Sequence, residues 1–208
     1  NKLEGIRRDF VANVSHELKT PVTSIKGFVE TLLEGSVKDP VEVENFLRIV
    51  GRQTNRLAAI IEDLLMLSRI EQDVETRAIP VEPSPLRGVL SEAIEVCSYK
   101  AREKNLQIKL ECPEQLKGRI NPALVEQAVV NLIDNAVKYS SNGGSVEVEA
   151  ATVEDQIVIR VRDHGIGIEK SHLPRIFERF YRVDKGRSRQ LGGTGLGLSI
   201  VKHVALIH

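Results

Sequence analysis

The sequence predicts an α+β protein: an N-terminal antiparallel helical hairpin that pairs with a second copy into a four-helix bundle, followed by an α/β sandwich. Three observations point there. Residues 1–73 have a helical hydrophobic rhythm and almost no strand signal. Residues 84–208 mix short alternating strands with helices and hold most of the glycines. Between them, EQDVETRAIPVEPSP carries Pro80, Pro83 and Pro85; prolines break helices and stiffen connections, which places a linker at about 74–83.

Composition narrows the class. The chain has 208 residues, 41% hydrophobic and 28% charged, as an ordinary globular chain does. Twenty-nine Lys and Arg balance twenty-nine Asp and Glu, so neither the basic excess of a nucleic-acid binder nor an acidic disordered tail is present. Cys97 and Cys112 fit no zinc spacing and no C-x-x-C motif, and are expected as buried free thiols in a reducing compartment. No apolar run approaches the roughly 18 residues that cross a bilayer, and the charged first twenty residues are no signal peptide. The opening residues already read as helix interior, so the chain is expected to be a piece of something longer.

The elements follow in order. At about 100° per residue, Leu3, Phe10, Val14, Leu18, Ile25, Phe28 and Leu32 line one stripe of a helix over residues 2–33. EGSVKDP, residues 34–40, supplies Gly35, Asp39 and Pro40 for a turn. Over 41–72, Phe46, Val50, Gln53, Leu57, Ile60, Leu64 and Leu67 recur in alternating steps of four and three, the seam of a coiled coil or bundle. Two helices alone cover such stripes poorly, so two hairpins should pair as a homodimer; packing against the same chain's second domain is the plainer alternative. In the second half, residues 106–112, 145–150 and 156–163 alternate like half-buried strands. Asn121-Pro122 opens a helix that runs to about Tyr139, where Asn142-Gly143-Gly144 stops it. Further helices are expected over 86–104 and 195–207. Helices gathered with an antiparallel or mixed sheet suggest a sandwich.

His16, in FVANVSHELKTPVTS, lies about 180° from the apolar stripe and should face water. Ala12, Thr20, Thr23 and Gly27 share its face, all small, and leave the ring open to a large partner; Lys19 is the exception. Glu17 could orient the imidazole or take a proton from it, or belong to an ordinary solvated face. Pro21 clashes with the Glu17 carbonyl and should bend the helix.

Three segments read as nucleotide chemistry. In NLIDNAVKYS, Asn131 and Asn135 stack on one helix face with Lys138 and Tyr139 a turn later. Amide oxygens suit Mg2+ when phosphates complete its shell, and Lys138 offers a point charge. In DHGIGI, Asp163 could accept from an exocyclic amine while Gly165 and Gly167 let a flat ligand approach. LGGTGLGLSIVK is no Walker motif, but glycines running into a helix N-terminus make an anion site, and 185–195 reads as a lid over phosphates. In IFERFYRVD the rings are a hydrophobic anchor for that lid, and Arg179 or Arg182 could reach a γ-phosphate or the partner domain.

Together these pieces resemble the catalytic core of a two-component sensor histidine kinase. SHELKTPVTSIKGF is similar to that family's H box, NLIDNAVKYS to its N box, DHGIGI to the first glycine box, FERFYRVD to the F box and GGTGLGLSIVK to the second glycine box. The resemblance implies a dimerisation and phosphotransfer hairpin (1–73), a linker (74–83) and a Bergerat-type ATP-binding domain (84–208). It implies that His16 attacks the γ-phosphate of ATP with Glu17 as general base, and that the phosphoryl group passes to an aspartate of a response-regulator receiver domain. Asn135 corresponds to the Mg2+ ligand, with Asn131 supporting it. Lys138 would contact phosphate, Tyr139 cover the adenine and Asp163 read its amine, with Gly165 and Gly167 shaping that pocket. Gly193, Thr194, Gly195, Leu196 and Gly197 form the closing segment, and Arg182 would steady the transferred group. Thr20 stands where the family orients water for the reverse phosphatase reaction. The closing strands usual after the last helix are missing, and the sensor and membrane segments of such proteins lie outside the sequence, so a cytoplasmic fragment of a membrane-anchored sensor is expected. The alternatives are an ATPase with similar nucleotide boxes, which typically carries a glutamate in place of Asn131, and a dimeric scaffold without ATP turnover.

Overall fold

The computed structural model describes residues 2–76, 79–184, 186 and 192–208, leaving out the side chains of 2–7, 9 and 73–76. The chain divides into two compact units, Asn1–Met66 with Asp184–Leu196 and Leu67–Val183 with Gly197–His208. Among the described residues, no helix is long and apolar enough to cross a membrane.

The first unit is built on two long helices. Helix α1 spans Lys2–Leu33 and runs unbroken through Pro21, whose ring is fully buried. Gly35 ends it in the left-handed region (φ 65°), its N–H donating to the Leu32 carbonyl. Asp39 then opens α2, Pro40–Thr76: its carboxylate accepts from the Val41 N–H at 3.1 Å, with proline at the first helical position. The hairpin is antiparallel, because contacts descend α2 as they climb α1: Glu17 meets Arg56, and Phe28 meets Phe46 edge-on with ring centroids 4.9 Å apart. The predicted stripe is this seam. Its described members on α1 are half-buried, and Ile60 on α2 is wholly buried.

The second unit is a layer of helices on a mixed sheet. Its strands and helices are β1 (Glu82–Pro85), α3 (Leu86–Glu103), β2 (Gln107–Glu111), β3 (Lys117–Ile120), α4 (Pro122–Tyr139), β4 (Ser145–Val153), β5 (Gln156–Arg162) and α5 (Gly197–Ile207). The main sheet has the order β2-β4-β5; β2 runs parallel to β4 across the α4 crossover, and β4–β5 is an antiparallel hairpin. β4 turns Val146, Val148 and Ala150 inward to meet a core that includes Leu90, Ala93, Val129, Ile133, Ala136 and Ile200. The last turns of α2 belong to this unit, with Leu67 and Ile70 buried.

Two sequence expectations change. Pro83 and Pro85 do not mark only a linker: β1 pairs antiparallel with β3, an edge where a strand tolerates prolines. β1 and β3 form a separate two-stranded sheet with little hydrophobic alternation to announce it. The last helix opens at Gly197 rather than 195, because Gly195 holds a left-handed φ of 80° that a helix cannot include.

α4 is secured at both ends. The Asn121 side chain caps it by accepting from the Leu124 N–H at 3.1 Å. His208 accepts the Asn121 N–H on Nε2 at 2.9 Å while Nδ1 contacts the Val204 carbonyl at 2.7 Å, which fixes the tautomer with hydrogen on Nδ1.

Candidate functional site

In the first unit, His16 is exposed and lines a shallow groove with Lys19, Thr20, Thr23 and Ser24. The small-residue face therefore exists as expected. Thr20 turns its hydroxyl back onto the His16 carbonyl at 3.0 Å, the usual habit of a helical threonine.

Glu17 does not sit beside the imidazole. Consecutive helical residues point about 100° apart, so the two side chains leave the helix in different directions. Glu17 is turned into the hairpin seam, 8% exposed, and accepts a hydrogen bond from Arg56 at 2.7 Å. The solvated-face reading therefore does not describe it. A buried ion pair of this kind is costly to break from one side, on the order of 3–5 kcal/mol.

Also in this unit, Gly192 and Gly195 hold left-handed φ angles of 71° and 80°. Between them the Thr194 hydroxyl donates to the Asp63 carboxylate on α2 at 2.6 Å and accepts from the Leu196 N–H at 3.2 Å. Thr194, expected over a nucleotide, is thus engaged by the hairpin helix here, because its hydroxyl finds a charged acceptor on α2. Of the expected lid, Lys185 and residues 187–191 lie outside the described residues.

In the second unit, the fold brings together the asparagine helix, the first glycine turn and the start of α5. Asn131 faces Gly197: a Cβ there would lie 3.2 Å from Asn131 Oδ1, a tight fit that the asparagine side chain would have to ease by a few tenths of an ångström. The Asn131 amide nitrogen is buried with no hydrogen-bond partner among the described residues. Asn135, a turn on, is half-buried. Gly165 packs so closely on the end of α4 that a Cβ would fall 2.4 Å from the Tyr139 carbonyl oxygen. Asp163 accepts from the Gly165 N–H at 2.8 Å, closing an Asx turn that holds its exposed carboxylate at the strand end. Gly167 takes φ 68°. Arg182 is half-buried.

Lys138 is not waiting free for phosphate. It pairs with Asp134, one turn back, at 2.5 Å, and Asp134 also accepts from Lys100 of α3 at 2.7 Å. Burial alone would raise the Asp134 carboxyl, but Lys138 and Lys100 outweigh it and hold the group below the ordinary carboxylate value. The same two lysines lie near Cys97, where burial dominates and, with Asp134, pushes the thiol up to about 11. Both cysteines are free and buried, as expected.

The F segment contributes a compact anchor. The Tyr181 hydroxyl is 2.6 Å from His172 Nδ1, and the Arg175 guanidinium lies 4.3 Å from the Tyr181 ring centroid. Phe180 is buried with a left-handed φ of 62°, while Phe177 stays exposed. Arg179 pairs with Glu71 near the end of α2 rather than waiting for a phosphate, and His203 Nε2 lies 3.8 Å from the same carboxylate. Burial, then Arg179 and Lys202, hold His203 below the usual imidazole value in spite of that carboxylate.

Among the described residues no group of three or more His, Cys, Asp or Glu side chains is placed to hold a metal ion. Residues 6–73 match the family model for the His kinase A phospho-acceptor domain, and residues 120–208 match that for histidine kinase-, DNA gyrase B- and HSP90-like ATPases. The chain belongs to the sensor histidine kinase family. It is 42% identical over 207 residues to the sensor-like histidine kinase SenX3 of Mycolicibacterium smegmatis, covering all of this chain and 53% of that protein. It is 38% identical over 210 residues to the sensor protein kinase WalK of Staphylococcus epidermidis, covering all of this chain and 34% of that one. The chain thus spans about half or less of these relatives. Its fold is that of solved histidine kinases: the Acinetobacter baumannii kinase AdeS superposes with a TM-score of 0.72 at 24% identity, covering 92% of this chain and 86% of that one.

Sequence reasoning passed over Asp134, Lys100, Lys104, Arg56, Asp63 and Glu71. Asp134 carried a signal, standing four residues before Lys138. The partners on other elements carried none, since nothing local marks a lysine on α3 as the neighbour of a carboxylate on α4.

Proposed function

We propose that this chain is the core of an ATP-dependent protein-histidine kinase that acts as a homodimer. The γ-phosphoryl group of ATP passes to a ring nitrogen of His16, ADP leaves, and the phosphoryl group passes on to an aspartate of a response-regulator receiver domain. The carrying observation is His16 itself, an imidazole open to solvent in a groove of small polar side chains, on a chain that also presents the asparagine helix seated against both glycine segments.

The chain's residues fit a Mg2+–nucleotide complex. The Asn131 amide oxygen lies against Gly197, where a Cβ would come within 3.2 Å, and its buried amide nitrogen has no partner among the described residues, which leaves it a donor for a phosphate oxygen. Asn135 would give an amide oxygen to Mg2+ with Asn131 beside it; the ion, when bound, neutralises phosphate charge. Lys138 exchanges Asp134 for phosphate, and Lys100 keeps Asp134 compensated when it does. Asp163, fixed by its own Asx turn, accepts from the adenine amine, and Tyr139 covers the ring. Gly193, Gly195 and Leu196 let the glycine segment fold over the phosphates, which requires Thr194 to leave Asp63. Arg182 steadies the transferred group. Glu17 takes the imidazole proton only once its pair with Arg56 opens. Thr20, beside His16 in the groove, orients water for dephosphorylation once its hydroxyl leaves the His16 carbonyl.

The test is phosphoryl transfer from γ-labelled ATP with Mg2+ to the wild type and to His16→Gln. Acid-labile labelling of the wild type and a loss of at least about a hundredfold in the variant are expected. Equal labelling of both would reject His16 as the acceptor, and steady phosphate release with no labelled protein would favour an ATPase.

A further inference from the structure

Lys104 closes α3 and lies far in sequence from every nucleotide motif, yet it holds the end of the asparagine helix. Its ammonium donates to the carbonyls of Val137 and Lys138 at 2.8 Å each and of Ser140 at 3.3 Å. Its own carbonyl accepts from the Gly143 N–H at 3.0 Å. The last carbonyls of a helix have no partner within it and carry the negative end of its dipole. A single ammonium collecting two of them, together with the carbonyl just beyond, is a C-terminal cap supplied by another helix.

That cap is placed where the site is most exacting. Lys138 and Tyr139 project from the capped turn, and Gly165 is seated against the Tyr139 carbonyl with no room for a methyl group. Drift of this turn therefore moves the phosphate-facing lysine, the adenine-facing tyrosine and the first glycine turn together. We infer that Lys104 is a positioning residue for the nucleotide site, fixing the final turn of α4 by gathering the carbonyls of Val137, Lys138 and Ser140. The inference rests on the nucleotide reading of α4 given above.

The experiment compares Lys104→Met, which keeps the chain length and loses the charge and the donors, with Lys104→Arg, which keeps both. KM for ATP and kcat for autophosphorylation are measured on the whole chain with Mg2+, alongside the thermal midpoint. Lys104→Met is expected to raise KM about tenfold while kcat at saturating ATP stays within about twofold, and Lys104→Arg to recover most of the affinity. A merely structural lysine would lower the midpoint and leave KM unmoved in the folded protein; that result overturns the inference. If Lys104→Met does not fold, Lys104→Gln is read by the same criterion. Wild-type protein that neither binds nor uses ATP overturns the nucleotide reading and this inference with it, whereas a normal wild type with an unmoved KM in the variant overturns the role of Lys104 alone.

Discussion

Asp134 shows how one side chain sets the state of its neighbours. Its carboxylate is mostly buried between Lys100 and Lys138, and their charge overcomes the burial that would otherwise raise its pKa. A carboxyl group held low in the folded state and ordinary in the unfolded state adds stability above roughly pH 4, and loses it as the pH falls through the folded value. The wild type should therefore exceed Asp134→Asn by on the order of 1 kcal/mol at pH 6, Lys100 being well exposed. The gap should close towards pH 3. Urea unfolding at the two pH values measures it; a gap that persists undiminished at pH 3 would show that shape rather than charge makes the difference. Cys97 and Asp134 share the same two lysines and shift in opposite directions. For the thiol, burial comes first and two nearby ammonium groups do not reverse it.

The joint between α4 and the first glycine turn is a property of elements rather than of any one residue. Gly165 lies at the strand's exit, and a methyl group there would overlap the backbone of the Tyr139 turn. Backbone cannot yield as the end of a flexible side chain does. Gly165→Ala should therefore push the turn off α4, costing about 1–3 kcal/mol and most of the nucleotide affinity. Thermal unfolding and ATP-analogue titration check this, and an alanine variant that binds normally would show the contact to be slack. This joint also marks how far the sequence could be read. The hairpin, α4 and the β4–β5 pair were legible because long periodic runs with caps announce themselves: Asp39-Pro40 and Asn121-Pro122 each open a helix where expected. β1 and β3 were not, being four residues each, with prolines or a glycine in place of alternating apolar residues. The glycine motifs were legible as turns, but the reason for Gly165 was not, since it depends on a carbonyl 26 positions away in sequence. The burial of Glu17 in the seam was not legible either, since its partner Arg56 stands 39 residues away on the other helix.

For the molecule as a whole, the hairpin leaves a second apolar stripe uncovered. Val11, Val22, Val29 and Leu33 are exposed on α1, within about 40° of one another at 100° per residue. Leu47, Ile61 and Leu65 are exposed on α2 within a similar arc. Each stripe flanks the seam that joins the two helices, and steps of seven and four separate Val22, Val29 and Leu33, as in a bundle. Isolated surface valines need no explanation, whereas two aligned rows on adjacent helices form a continuous face. A second copy related by a two-fold axis would present the same rows and cover them, completing four helices. The wild type should therefore run in light scattering at twice the mass of one chain. Ile61→Glu should bring it to the mass of one chain, because the axis sets like charges near each other in an apolar layer. His16 faces another side of α1 and is exposed. A wild type of single-chain mass would reject the dimer, and an Ile61→Glu variant that remains dimeric would place the interface on another face.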